Sequence, residues 1–345
     1  MSKKLGKIIG LSLVMSSALL AANVQAEETL NLYNWGEYIN PEVLKKFTEQ
    51  TGIKVTLDTY SSNEEMLAKL QAGAKGYDIV FPSVHMQDIM AQLGLLEKTN
   101  INEYAGFSHI DKSFLKAKSD PKGEYCLPYA WGTVGIVYNK KQVAKLDSWD
   151  DFFKLPEQNK KIAMLDEMRE VISVGLIKNG KSVNTTDRDD LKLAQDYIIK
   201  QKPHVSSFTY DSIPLVQSGD IAAAQWYVGA MLYVFQHPDD LAYVIPKEGA
   251  TMYQEDMCVL KSAPNKDNAK KFLEFFTQPE IAALNAKQQT NGTANKDAIA
   301  LLPDYIRTNP AINPPADVRA KLQLFEELGK GIKLYDRVWT KIRTH

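Results

Sequence analysis

The sequence lacks an excess of charge of either sign, and this absence excludes one class of function. Its 345 residues include 41 Lys and Arg against 42 Asp and Glu, for a formal net charge of −1. A protein that binds nucleic acid through a strongly basic surface is therefore excluded. Hydrophobic residues make up 44% of the chain and charged residues 24%, which excludes bulk disorder.

Several motifs that carry out catalysis or bind phosphate are also absent. No glycine-rich loop has the spacing of a phosphate-binding motif, and no Gly-x-Ser-x-Gly nucleophile elbow occurs. The five histidines have no metal-ligand spacing with one another or with a cysteine. We therefore expect a protein that is not an enzyme and that holds no cofactor or metal ion.

The first 26 residues have the three-part pattern of a secretory signal peptide. Three lysines precede an uncharged, mostly apolar run at residues 8–22, and Val24-Gln25-Ala26 offers acceptable residues for signal peptidase. The run is short for a membrane span, and an uncleaved anchor is the alternative. Cleavage after Ala26 leaves 38 basic against 42 acidic residues, a net charge of −4. The sequence thus predicts an exported protein.

Export makes the two cysteines informative, because an oxidising compartment permits a disulfide. Cys126 and Cys258 lie in strand-like runs at residues 124–134 and 257–261. They can form a bridge if the two strands are neighbours, and otherwise they are two separately buried thiols. The sequence leaves both alternatives open.

Strand-like and helix-like segments alternate along the chain. Early on, an alternating run at residues 30–35 precedes Asn40-Pro41, which supplies a helix cap and a first-turn proline, and a second strand follows at residues 53–57. This alternation predicts an α/β fold in two lobes, with helices on the faces of parallel sheet. Later strands are predicted at 161–165, 205–209, 221–226 and 241–245, and later helices at 169–178, from a Thr186 cap to about 200, at 268–276, 280–288 and 318–342.

Aromatic and polar side chains follow the ends of predicted strands. Trp35 ends the first strand and Tyr38 follows it, His85 follows a third strand predicted at residues 78–81, and Trp226 ends a strand in the second half. Ligands of open α/β sheets bind beyond the carboxyl ends of the strands, so these side chains could line one crevice. Partial burial as packing residues is the alternative for each aromatic ring.

Three acidic residues open the helix predicted at residues 169–178. Glu167 and Glu170 are three residues apart and can share one face of the first turn. Helix capping is the alternative, because the helix dipole stabilises acids at its N-terminus. An acid–base pair of an enzyme is disfavoured, since two acids on one helix would not flank a scissile bond from opposite sides.

Four segments carry a family resemblance: residues 32–38 (Leu-Tyr-Asn-Trp-Gly-Glu-Tyr), 49–55 (Glu-Gln-Thr-Gly-Ile-Lys-Val), 77–83 (Tyr-Asp-Ile-Val-Phe-Pro-Ser) and 127–132 (Leu-Pro-Tyr-Ala-Trp-Gly). Together they resemble the periplasmic spermidine/putrescine-binding proteins of ABC transporters, a family of polyamine solute-binding proteins. Residues 166–171 and 246–249 are also similar to the family. The resemblance implies a two-lobed periplasmic-binding-protein fold of type II, the Venus flytrap, with the ligand cleft between the lobes. Lobe 1 would comprise residues 27–131 and about 257–303, and lobe 2 about 132–256 and about 304–345.

The resemblance also implies a set of ligand-binding residues. Those named by direct match are Trp35, Tyr38, Ser83, His85, Glu167, Glu170 and Trp226. Counting on from residue 249, Tyr253 falls on an aromatic position of the family and Glu255 on an acidic one, and a slip of one residue would put Asp256 there instead. Asn291 stands where spermidine binders tend to carry tyrosine, and Gly36 replaces a usual Ser or Thr.

The implied ligand agrees with the chemistry of these side chains. A polyamine is a string of ammonium groups separated by methylenes, so its site needs carboxylates together with flat apolar walls. We expect a monomeric periplasmic protein that captures a polyamine, with spermidine favoured and putrescine or norspermidine possible. It would deliver the ligand to an ABC permease, or alternatively present it to a membrane signalling receptor.

Overall fold

A computed structural model describes residues 28–345, so the predicted signal peptide lies outside the described residues. Eleven strands in this range form one sheet: β1 (Thr29–Trp35), β2 (Lys54–Tyr60), β3 (Ile79–Val80), β4 (Cys126–Asn139), β5 (Ile162–Met164), β6 (Val205–Phe208), β7 (Ala223–Tyr227), β8 (Leu241–Val244), β9 (Ala250–Val259), β10 (Gly292–Thr293) and β11 (Leu322–Leu324). Within residues 28–345 no helix is long and apolar enough to cross a membrane.

The α-helices connect these strands and cover the sheet. Those in the described range are α1 (Pro41–Thr51), α2 (Asn63–Gln71), α3 (Val84–Gln92), α4 (Trp149–Lys154), α5 (Met168–Lys178), α6 (Arg188–Gln201), α7 (Ser212–Ser218), α8 (Met231–Gln236), α9 (Lys266–Phe276), α10 (Pro279–Gln289), α11 (Asp304–Arg307), α12 (Ala316–Arg319) and α13 (Ile332–Thr344). The predicted mixture of helices and strands is confirmed.

Two groups of parallel strands flank a central antiparallel pair. The strand order is β2-β1-β3-β9-β4-β7-β5-β6. Pairing is parallel among β2, β1 and β3 and among β6, β5 and β7, whereas β9 and β4 run antiparallel to each other. β8 and β10 pair with β4, and β11 pairs with β9. The long strands β4 and β9 therefore connect the two parallel groups.

The apolar side chains form two main cores, one beside each parallel group. Phe47 and Phe272 are fully buried in the first core, and Trp149 and Phe152 are almost fully buried in the second. Ile306 packs in the first core, although it belongs to the segment that the sequence assigns to lobe 2. The lobe boundaries at about residues 131 and 257 fall within β4 and β9 and stay a prediction.

Local signals account for the ends of several helices. The Asn40 side chain accepts a hydrogen bond from the Glu42 amide at 2.9 Å, Pro41 is the first residue of α1, and Gly52 ends it at a φ of 73°. A left-handed φ of this kind favours glycine. The cap of α6 is Asp187 rather than the predicted Thr186, because the Asp187 carboxylate accepts from the amides of residues 189 and 190.

The single helix predicted at residues 318–342 is wrong. The chain forms α12, then β11, and only then α13. Leu322 and Leu324 alternate with Gln323, and this short segment pairs with residues 250–252 of β9. Gly329, at a φ of 52°, separates β11 from α13. Pairing with an existing strand thus overrides the helical tendency of the flanking sequence.

A disulfide links the two central strands. The register of β4 and β9 puts Cys126 directly opposite Cys258, with 4.5 Å between their Cα atoms and a covalent bond between the sulfurs. Both residues are buried, and no free cysteine remains among the described residues. The bond closes a sequence separation of 132 residues.

Removing this cross-link is expected to destabilise the fold. A Cys126→Ala/Cys258→Ala variant should lose about 2–4 kcal/mol of unfolding free energy, because its unfolded chain is less constrained. Denaturant titration followed by circular dichroism measures this loss. A reductant should lower the midpoint of the wild type and leave that of the variant unchanged. Equal stability of the variant and the disulfide-bonded wild type, both without reductant, would contradict the prediction.

Candidate functional site

Residues of the predicted site lie at or just after the ends of four strands, and two of these ends contact the middle of β9. Trp35 ends β1, Ser83 comes soon after β3, Glu167 follows β5, and Tyr227 ends β7. Ser83 forms an isolated β-bridge with Glu255 of β9. Polar side chains thus gather at the carboxyl ends of the parallel strands, as the sequence predicts.

The strand β9 presents two different faces. Thr251, Tyr253 and Glu255 alternate along one face, and each has a partner from the predicted site. Asp256 points to the opposite face, where its carboxylate accepts a hydrogen bond at 2.8 Å from Gln254. Because side chains alternate along a strand, only one of the two neighbouring acids can share a face with Tyr253, and that acid is Glu255.

A chain of hydrogen bonds ends at the carboxylate of Glu255. The Tyr253 hydroxyl donates to Asn291 Oδ1 at 3.1 Å, and Asn291 Nδ2 donates to the Tyr38 hydroxyl at 3.2 Å. The Tyr38 hydroxyl in turn donates to Glu255 Oε2 at 2.7 Å. Every donor in the chain is directed towards the carboxylate. The structure thus brings together four residues that the sequence assigned to the site.

The backbone of Tyr38 is held by a buried polar cluster. Tyr129 Oη and Gln289 Nε2 both donate hydrogen bonds to the Tyr38 carbonyl oxygen. Asn285 Nδ2 and Gln289 Nε2 donate to Tyr129 Oη at 2.8 and 2.9 Å. These contacts fix the turn after β1 and, through it, the hydroxyl that reaches Glu255.

Trp35, Ser83 and His85 lie beside this end of the site. Trp35 Nε1 donates to the Phe81 carbonyl at 2.8 Å, which sets the orientation of the indole. Ser83 Oγ accepts from Asn63 Nδ2 at 2.8 Å and lies 3.1 Å from His85 Nδ1. Burial, and then the charge of Arg169, lower the pKa of His85 to about 4. The imidazole is therefore neutral at neutral pH and adds no positive charge to the site.

The other end of the site contains Glu167 and Glu170. Glu167 caps α5, since its two carboxylate oxygens accept from the amides of Arg169 at 3.2 Å and Glu170 at 2.6 Å. The carboxylate of Glu170 accepts from the Thr251 hydroxyl, and its carbonyl accepts from Gln225 Nε2 at 3.1 Å. Capping therefore accounts for the hydrogen bonds of Glu167, whereas the Glu170 side chain is turned towards β9.

A row of aromatic rings connects the two ends. The ring centroids of Trp226 and Tyr227 are 6.2 Å apart, and those of Tyr227 and Tyr253 are 5.6 Å apart with the planes at 77°. Tyr210 lies at 6.4 Å from Trp226 and is half exposed, which puts it at the edge of the row. The rings supply flat apolar surface between the two acidic ends.

The buried acids at both ends lack a cation. In the described part of the chain, no Lys, Arg or His nitrogen lies within 4.0 Å of a carboxylate oxygen of Glu167, Glu170 or Glu255. Burial raises the pKa of Glu255 to about 8, and burial together with the charge of Glu167 raises the pKa of Glu170 to about 8. Burial also raises the pKa of Asp256, to about 7. A cationic ligand would supply the missing counter-charge.

Several contributors to the site are absent from the sequence-based set, including Tyr210 and Tyr227 of the aromatic row. The Thr251 hydroxyl donates a hydrogen bond to the Glu170 carboxylate, and Arg169 stands between Glu167 and Glu170 in the sequence at the start of α5. Gly132, opposite Tyr253, leaves room for its ring, since a Cβ there would lie 2.3 Å from the Tyr253 hydroxyl oxygen. The alternation at residues 251–255 would have indicated Thr251 if the predicted strand had begun before residue 257.

The fold and the site together define a class of protein. Two parallel groups joined by long central strands, with an acidic and aromatic site at the strand ends, are the arrangement of a solute-binding protein. Residues 42–314 match the sequence profile of the bacterial extracellular solute-binding proteins, and the chain belongs to this family. Its members bind solutes for transport and are not enzymes, in agreement with the sequence analysis.

Individual relatives support the resemblance to the spermidine/putrescine-binding proteins. The putrescine-binding periplasmic protein SpuD of Pseudomonas aeruginosa is 33% identical over 368 aligned positions, covering 100% of both chains. The spermidine/putrescine-binding periplasmic protein of Salmonella typhimurium is 31% identical over 95% of each chain.

A solved structure supports the same resemblance. The spermidine/putrescine ABC transporter substrate-binding protein PotD of Streptococcus pneumoniae superposes with a TM-score of 0.84 at 32% identity, covering 92% of this chain and 99% of that one. The family resemblance and the two-lobed fold predicted from the sequence are thereby confirmed.

The unpaired buried acids should lower the stability of the ligand-free protein. Their pKa values exceed that of an unfolded Glu, 4.5, so the unfolded chain loses its protons first, and the unfolding free energy falls as the pH rises from about 4.5 to about 8. Glu170→Gln and Glu255→Gln should therefore each raise the unfolding free energy at pH 7.5 by about 1–3 kcal/mol. Denaturant titration of protein refolded without ligand measures the change.

The matched control for this prediction is Glu37→Gln, which changes an exposed acid in the turn after β1. That variant should be as stable as the wild type at pH 7.5 and at pH 4. At pH 4 the two site variants should also match the wild type, because the carboxyl groups are then protonated. Destabilisation by both site variants at pH 7.5 would contradict the prediction.

Proposed function

We propose that the protein captures a polyamine in the cleft between its lobes, with spermidine as the preferred ligand, and delivers it to an ABC permease. One observation carries the proposal: buried carboxylates without a cation lie at both ends of a row of aromatic rings. The proposed ligand-binding residues are Trp35, Tyr38, Ser83, His85, Glu167, Glu170, Trp226, Tyr253, Glu255 and Asn291. Asp256 is left out because it lies on the other face of β9.

A polyamine complements each part of this site. An ammonium group over an aromatic face gains about 0.5–2 kcal/mol, and each methylene buried between rings adds about 0.8 kcal/mol. An ammonium beside a buried carboxylate removes the cost of leaving either charge unpaired. The neutral imidazole of His85 adds apolar surface without repelling the ligand.

The spacing of the two acidic ends favours a triamine. Glu170 contacts Thr251, and Glu255 lies four residues further along β9, which corresponds to about 13 Å at the rise of an extended strand. A fully extended chain covers about 1.2 Å per bond, so spermidine, with nine bonds between its terminal nitrogens, spans about 11 Å. Putrescine, with five bonds, spans about 6 Å. Even with a hydrogen bond at each end, it is too short to reach the two carboxylates at the same time.

The relatives support the polyamine class and the transport role. Two are named for putrescine or spermidine and for the periplasm, and the pneumococcal protein is named as an ABC transporter substrate-binding protein. We therefore propose that this chain works in the periplasm as a monomer and that residues 1–26 are its signal peptide. No observation on the described residues favours the signalling role.

Titration calorimetry with polyamines tests the proposal. Diamines of four, six, eight and ten carbons, compared with spermidine and norspermidine, should show affinity rising to a maximum near nine bonds, because that length reaches both acids. Glucose and glutamate are suitable control solutes without the ammonium pattern. Absence of heat with every amine, measured on protein freed of bound ligand, would overturn the polyamine assignment.

Ligand binding should also release protons. Near pH 6.5 the carboxyl groups of Glu170 and Glu255 hold protons, and an arriving ammonium group favours their ionised form. The affinity should therefore rise between pH 6 and 8, by at most about tenfold per pH unit for each carboxyl. Calorimetry in buffers of different ionisation enthalpy counts the protons. Glu255→Gln should release about one proton fewer, and a wild type that releases none would contradict the prediction.

A further inference from the structure

The charge of Arg169 is buried and has no ion-pair partner. The side chain is 6% exposed, and in the described part of the chain no carboxylate oxygen lies within 4.0 Å of its guanidinium. Its nitrogens donate only to neutral acceptors: the Glu326 carbonyl at 3.0 Å, Asn184 Oδ1 at 2.7 Å and the Val183 carbonyl at 3.4 Å. Neutral acceptors solvate a guanidinium without cancelling its charge.

The packing of the guanidinium leaves this charge effective at the site. Its carbon lies 4.1 Å from the ring centroid of Phe325 and 5.6 Å from that of Tyr335. The nearby carboxylate of Glu326 is already paired with Lys118 at 2.6 Å. After burial, the positive charge of Arg169 is the second cause that lowers the pKa of His85, and it partly offsets the rise that burial and Glu167 cause in the pKa of Glu170. Its field therefore extends to residues on two sides of the proposed cleft.

The position of Arg169 changes the charge that a ligand meets. With all groups ionised, Glu167 and Glu170 contribute two negative charges, and Arg169 on the same turn of α5 cancels one of them. Together with Glu255 the site then has a formal charge of −2, whereas the acids alone would give −3. A site of charge −2 gains less from the third ammonium of a triamine than a site of charge −3 would.

We propose that Arg169 is a specificity-determining residue that limits how strongly the site prefers a trivalent over a divalent amine of the same length. This inference rests on the proposed function, because it assumes that polyamines bind beside Glu170. Length and charge are then selected by different groups: the separation of the acidic ends selects length, and Arg169 adjusts the selection for charge.

Two ligands of equal length separate these effects. Spermidine and 1,8-diaminooctane both have nine bonds between terminal nitrogens, and they differ by the central ammonium group. The measured quantity is the ratio of the Kd of 1,8-diaminooctane to that of spermidine, at one pH and one ionic strength. Arg169→Met removes the charge and keeps an unbranched side chain, so it should raise the ratio at least about threefold.

Two further variants make the test independent of folding defects. Arg169→Lys keeps the charge and should leave the ratio within about twofold of the wild type. Asn184→Asp puts a carboxylate where Asn184 already accepts from Arg169 at 2.7 Å, and it should raise the ratio as Arg169→Met does. If Arg169→Met does not fold by circular dichroism, Asn184→Asp decides the test.

The outcomes are distinguishable from a purely structural role. A structural role would weaken both amines equally, so an unchanged ratio in the folded charge-removing variants would overturn the inference and leave the proposed function intact. A ratio raised equally in Arg169→Lys would also overturn it, because the charge is then not the cause. If the wild type binds neither amine, the proposed function fails and the inference fails with it.

Discussion

The antiparallel pairing of β4 with β9 is the constraint on which the rest of the structure depends. The pairing puts Cys126 opposite Cys258 and, after a one-residue shift of register between Pro128 and Ala130, Gly132 opposite Tyr253. The first pair cross-links the two strands, and the second leaves space for a ring of the site. Alternation along β9 puts Glu255 and not Asp256 on the same face as Tyr253, and a shift of one residue would turn that whole face away from the site.

The position of β9 explains why ionised acids in the site lower the stability of the ligand-free protein. β9 lies in the middle of the sheet, so any acid on it is buried, and burial without a cation raises the pKa of Glu255. A more exposed strand would ionise the acid at lower cost, but water would then weaken its attraction to an ammonium group. At Glu255 the surroundings have a low dielectric constant, and no cation among the described residues balances the carboxylate. A cationic solute therefore complements the site.

The sequence predicts those features that depend on neighbouring residues. The cap at Asn40, the proline and glycine that bound α1, and the strand ends before Tyr38 and His85 follow from local patterns. The start of β9 and the whole of β11 do not, because their pairing depends on strands far away in the chain. The choice between Glu255 and Asp256 and the direction of the Arg169 side chain likewise depend on packing, which no spacing along the sequence specifies.

Under the proposed function, strand β9 would set the selected length, and the first turn of α5 would set the selected charge. The distance between Thr251 and Glu255 is set by the rise of an extended strand and cannot change without a change of register in the central sheet. The charges of Glu167, Glu170 and Arg169 lie on the first turn of α5, and Arg169 is held by the segment around Phe325. If Arg169 acts as proposed, substitutions on this turn should alter the preferred ligand charge while the sheet is preserved.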